Sequence, residues 1–165
     1  MDNTFKSLHM VYQKLSIAEL ADDPKKANIE WLTKNNPRMA IYLEGTDTEN
    51  RPMTAYLVDG AGIRTNVWQD FVDGGNHGRY PWIPFNEYWL DIANAFILEY
   101  DYNLIHETVE DRYMQKGLDY DAAHSKHANK AEYDARHMDH IDSDKILTNL
   151  GWHIIWPEYN SGLKT

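Results

Sequence analysis

The chain has 165 residues, 42% of them apolar and 13% aromatic, with 26 Asp and Glu against 16 Lys and Arg and no cysteine. This length suits one domain around one core, and the aromatic content excludes a disordered chain. A formal charge of -10 argues against nucleic acid as the partner, while the missing thiols exclude disulfides, thiol catalysis and cysteine-ligated zinc, leaving His and carboxylates as metal ligands.

Among the first 20 residues Asp2, Lys6, His9 and Lys14 interrupt the apolar positions, so no secretory core is expected there. No stretch approaches the roughly 18 apolar residues of a spanning helix. Asp22-Asp23-Pro24 reads as a helix start, with Ala27, Ile29, Trp31 and Leu32 as its apolar positions and Asn35-Asn36-Pro37 as its stop. Met39 to Leu43 and Thr54 to Val58 are β-prone runs separated by a polar connection, which predicts an antiparallel pair. After a turn at Asp59-Gly60-Ala61-Gly62, Ile63 to Phe71 is a candidate third strand. A long loop from Asp73 to Pro84 then leads to a fourth at Glu87 to Asp91.

From Asn94 the period lengthens to three and four, with Phe96, Ile97, Tyr100, Leu104, Ile105, Val109 and Met114 marking a long helix that exits at Lys116-Gly117. Asp119 caps a second helix running to about Arg136. So short a connection demands an antiparallel helical hairpin. The tail carries Leu147, Leu150, Trp152, Ile154, Ile155 and Trp156, and Gly151 to Pro157 reads as a last strand or an apolar strap. The fold class is therefore α+β, a small, mostly antiparallel sheet packed with a long helical hairpin in a single domain.

His106 and Glu110, at i and i+4, project from one helix face and can share one ion, with Glu107 between them. The element is similar to the His-Glu-x-x-His helix of zinc peptidases, with a carboxylate in place of the second histidine. In an antiparallel hairpin Glu110 faces the region of His124 to His127, and His106 faces that of Lys130 to Glu132. His106, Glu110, His124 and Glu132 are thus the candidate ligands of a divalent metal, zinc or, with more oxygen donors, manganese or iron. Glu107 is the candidate general base. His127 is a competing ligand, and Glu87 and Asp91 are candidates for outer support of the site. An i, i+4 His-Glu pair also occurs as a plain surface contact worth about 0.2–0.5 kcal/mol. The opposing His124 and Glu132 favour the metal reading. His137 and His140, among Asp139, Asp142 and Asp144, read as solvated charge.

Three motifs occur together: Gly74-Gly75-Asn76-His77, then Ile83-Pro84-Phe85-Asn86-Glu87-Tyr88-Trp89-Leu90-Asp91, then His106 to Glu110. They are followed by Gly117-Leu118-x-Tyr120-Asp121-x-Ala123-His124 and Asn129-Lys130-Ala131-Glu132. Over roughly residues 55 to 135 this resembles a phage-type family of small proteins with a His-Glu-x-x-Glu helix. The resemblance implies a metallopeptidase-like or other metal-dependent hydrolase, with an unidentified protein or peptide as partner and the cytoplasm, the host's if phage-encoded, as its location. The competing expectation is a non-catalytic virion or interaction protein, with virion or homo-oligomer contacts through exposed aromatics, in which the same site only fixes the fold. Neither reading involves a membrane or nucleic acid.

Overall fold

The computed structural model describes residues 28–94 and 97–154. The expected helix start at Asp22 and the tail from Ile155 onward lie outside them. Helix α1 (Ile29–Asn35) is capped by Asn28, whose side chain accepts from the Trp31 N–H at 3.1 Å. Strands β1 (Arg38–Thr46) and β2 (Pro52–Val58) form the expected antiparallel hairpin. Asp47 closes its turn by accepting from the Glu49 and Arg51 N–H groups, each at 2.8 Å.

The next segment corrects the expectation of a strand over Ile63 to Phe71. It forms helix α2 (Gly60–Asn66), capped by Asp59, which accepts from the Gly62 N–H at 2.9 Å. Ile63 is buried on this helix, Val67 is buried at its C-terminal cap and Phe71 is buried beyond it, so the Asp59 cap and the tertiary packing override the β preference of these side chains. Two further strands follow, β3 (Gly74–Asn76) inside the long loop and β4 (Glu87–Asp91). The fold is α+β.

The polypeptide then enters α3 (Ile97–Gln115) and reverses at Gly117, whose φ of +99° is the left-handed conformation glycine tolerates. Asp119 caps α4 (Tyr120–Ala122), accepting from the Ala122 N–H at 2.8 Å. The helix continues without a break through a π-helical turn (Ala123–Ala128) into α5 (Asn129–Arg136). A further helix, α6 (His140–Asn149), and the short β5 (Trp152–His153) complete the described chain. The sheet order is β3-β4-β2-β1-β5, and β2 with β4 is its one parallel pair.

Side chains alternate across this sheet and divide the core in two. Trp89 and Val58 join Leu32, Ile63, Phe71 and Trp82 on one face. Tyr88, Leu90, Met53 and Ala55 join Leu104, Ile105, Leu147 and Trp152 on the other, beneath the hairpin. Of the two expectations for this segment, a last strand or an apolar strap, the described part forms a strand with Trp152 in the core, its indole N–H donating to Thr108 Oγ1 at 3.0 Å. Tyr88 donates its hydroxyl to Asp111 at 2.7 Å, which pins α3 to β4. Among the described residues no helix is long and apolar enough to cross a membrane.

Candidate metal centre

The antiparallel hairpin lays α3 along the π-turn and α5, so His106 and Glu110 meet His124 and Glu132 from the neighbouring helix. Glu110 Oε2 lies 2.7 Å from His124 Nδ1 and 3.4 Å from His106 Nε2, and the two ring nitrogens are 3.1 Å apart. These three atoms form a triangle. Glu132 stands on the opposite side of the His106 ring, its Oε2 2.8 Å from Nδ1. Arg136 holds the other oxygen of Glu132 at 2.8 Å, so this carboxylate is braced from behind.

A π-turn adds a residue to the helical repeat, and such turns concentrate at functional sites. Here it carries His124, whose ring stacks on Tyr120 with centroids 5.1 Å apart. Exposure is graded across the cluster: 3% for the Glu110 side chain, 10% for His106 and 36% for His124. The site is therefore anchored in the protein at Glu110 and open at His124. A cleft of about 310 Å³ leads to it, lined also by Asp73, Tyr80, Glu107 and Asn129.

β3 supplies a contact that periodicity in the sequence does not reveal. The Asn76 amide donates through Nδ2 to Glu107 Oε2 at 2.7 Å and to Glu110 Oε1 at 2.9 Å. Asn76 reaches these acids because Gly74 and Gly75 run against β4 and the aromatic core. A Cβ on Gly74 would come within 2.8 Å of the Trp89 carbonyl oxygen, and one on Gly75 within 2.6 Å of the Tyr80 ring. The Gly-Gly-Asn run was the available signal for Asn76, since glycines followed by an amide permit close approach.

Charges at the site shift one another through direct hydrogen bonds and close approach. Burial alone would lower the His106 pKa, but the hydrogen-bonded carboxylates of Glu110 and Glu132 and the charge on Glu107 outweigh it and push the imidazole up to about 10. Burial and the Glu110 charge raise Glu107 well above the usual carboxylate range. Glu110 shifts the other way: burial opposes, but hydrogen bonds from His106, His124 and Asn76 hold its carboxyl down. The bond to His106 likewise lowers Glu132 against its own burial.

The remaining candidates are engaged elsewhere. Glu87 accepts from Arg38 Nη2 at 2.6 Å and from the Trp89 indole at 2.9 Å, on the aromatic side of the sheet. Asp91 pairs with Arg64 at 2.5 Å, and His127 stacks on Tyr113 with centroids 3.7 Å apart, lining a separate groove. The strand that carries Glu87 and Asp91 alternates as expected, but their face is turned toward α1 and α2. His127 is three residues past His124 and lies on a different side of the π-turn.

His106, Glu110 and His124 thus make up a group of side chains able to hold a metal ion, with ligand atoms all within 4.8 Å of one another. Comparisons with protein-family models, with curated proteins and with solved structures found no match.

Proposed function

We propose that the chain is a metal-dependent, peptidase-like hydrolase whose ion is held by His106 Nε2, Glu110 Oε2 and His124 Nδ1. The observation that carries this reading is the triangle of 2.7, 3.1 and 3.4 Å between those atoms. Ligands about 2.0–2.1 Å from a tetrahedral zinc ion stand roughly 3.3 Å apart, so the 3.4 and 3.1 Å edges are already near that spacing and the 2.7 Å edge between Glu110 and His124 must open by about 0.6 Å. Two imidazoles and one carboxylate with a fourth side open to a cleft is also the donor set of hydrolytic zinc sites, and it suits iron or manganese at higher coordination. Glu132 fits the role of the carboxylate that orients a ligating histidine through its second nitrogen.

When bound, the ion supplies Lewis-acid polarisation of water and of a substrate carbonyl. Glu107 then takes the proton of a water in the cleft and delivers it to the leaving amine. Asn76 ties down Oε2 of Glu107, while no described residue hydrogen-bonds to its Oε1, which is left for that water. A raised pKa suits a group that must accept a proton and give it back near neutral pH.

Glu107→Gln should keep the metal and the fold while turnover of amide or ester substrates falls about 10²–10⁴-fold. Undiminished turnover in that variant would overturn the assignment. One observation favours the non-catalytic reading, as a virion or interaction protein: a protonated His106 between Glu110 and Glu132 closes the network without any ion. On that reading chelation leaves stability unchanged, and no variant of Glu107 alters any activity.

A further inference from the structure

Five carboxylates line the cleft, those of Asp70, Asp73, Glu107, Glu110 and Glu132, together with one guanidinium, that of Arg79. Its central carbon lies 4.3 Å from the centre of the Tyr120 ring and 5.3 Å from that of Tyr80. Tyr120 in turn stacks on His124, so the guanidinium is one aromatic ring away from the ligand triangle. The backbone beneath it is fixed as well. Arg79 N–H donates to Asn76 Oδ1 at 3.0 Å, and this is the amide whose nitrogen holds Glu107 and Glu110. Gly78 allows the turn to press on α3, since a Cβ there would meet Met114 Sδ at 3.0 Å and Asn76 Oδ1 at 3.2 Å.

Elsewhere in the molecule, arginines that meet buried acids pair with them directly, as Arg38 does with Glu87 and Arg64 with Asp91. Among the described residues no carboxylate forms an ion pair with Arg79, although five share its cleft. If it served only to temper the acidic field, one of them would be expected within hydrogen-bond reach. A guanidinium resting on two aromatic rings is partly desolvated, and its planar fork of donors is best completed by an oxyanion presenting two oxygens.

We propose that Arg79 anchors the substrate, binding a carboxylate or phosphate group that the substrate carries close to the bond held at His106, Glu110 and His124. The position of that bond rests on the metal-centre reading; the anion contact does not. Substrates are then acidic at one end, and a neutral analogue lacking the oxyanion is bound poorly.

Metal-loaded wild type, Arg79→Ala and Arg79→Gln would be titrated calorimetrically with acetate and, separately, with inorganic phosphate, and metal per chain recorded on the same samples. Arg79→Gln retains most of the stem over the tyrosines and serves if the alanine variant fails to fold. Wild type should bind at least one anion, and the variants should bind it at least tenfold more weakly at unchanged metal content. The anion bound more tightly by wild type distinguishes carboxylate from phosphate. Equal affinity in wild type and variants, or no anion binding by wild type, would overturn the proposal. A wild type without metal is instead a failure of the metal-centre reading, and the same titration on chelated protein still tests Arg79, with an Arg79-dependent loss of anion binding supporting it.

Discussion

Buried or half-buried acids occur on both faces of the sheet, and they are treated differently. On the aromatic face Glu87 has a dedicated partner in Arg38, at 2.6 Å, with both side chains below 10% exposed. On the hairpin face Glu107 and Glu110 share one amide, that of Asn76, and among the described residues the ring nitrogens within reach of Glu110 are those of His106 and His124. Burial raises Glu87 and Glu107 alike, but Arg38 offsets part of the shift for Glu87, whereas the Glu110 charge adds to it for Glu107. An acid paired with a permanent cation is fixed for structure. Acids crowded around titratable imidazoles form instead a group that could hold a cation from outside.

This contrast can be broken from either side. Arg38→Met leaves Glu87 buried without its cation, and we expect a loss of roughly 3–5 kcal/mol in denaturant unfolding, with metal content unchanged in the fraction that remains folded. A loss below about 1 kcal/mol would mean that Glu87 is not maintained by this pair. On the hairpin face, saturation with an ion at about 100 times its Kd should raise stability by about 2.7 kcal/mol, an increment that chelation removes and that His106→Ala never shows. Equal thermal midpoints with and without the ion would place the two sets of acids in the same class.

The pH dependence sharpens the same distinction. The folded-state pKa of His106, about 10, lies above its ordinary value of about 6.5. Its ion pairs therefore contribute fully below that ordinary value and are lost as pH rises toward the folded one. Glu107 acts in the same direction, because the folded state keeps a proton that the unfolded chain has released. Metal-free protein should lose stability between about pH 7 and 10, and His106→Ala should flatten that slope. Metal and proton compete for His106, so affinity for the ion should increase across the same interval. The smallest effect belongs to the hairpin's connection: Asp119→Ala removes the cap of α4 and should cost about 1 kcal/mol by thermal unfolding.

The hairpin was legible because its signals are local. Lys116-Gly117 ends one helix and Asp119 caps the next, and from that short turn the antiparallel count brings Glu110 to His124 and His106 to Glu132. What escaped depends on tertiary context. Ile63, Val67 and Phe71 have β-prone side chains, and only their packing with Leu32 and Trp89 shows that a short helix and a turn, not a strand, carry them. The parallel pairing of β2 with β4 crosses the whole segment from α2 through β3, and no short-range signal specifies it. Helix α6 begins amid Asp139, Asp142 and Asp144, a run that reads as solvated charge until buried Leu147 is seen to pack beneath the hairpin. The π-turn has no sequence signature here, and Asn76 and Arg79 gained their importance only when β3 was folded against α3.

The most direct test is elemental analysis of purified protein after chelation and reloading, beside His106→Ala treated in the same way. The account predicts close to one divalent ion per chain in the wild type and none retained by the variant, with both proteins folded. Wild type that retains no ion, or a variant that holds as much as the wild type, would contradict it.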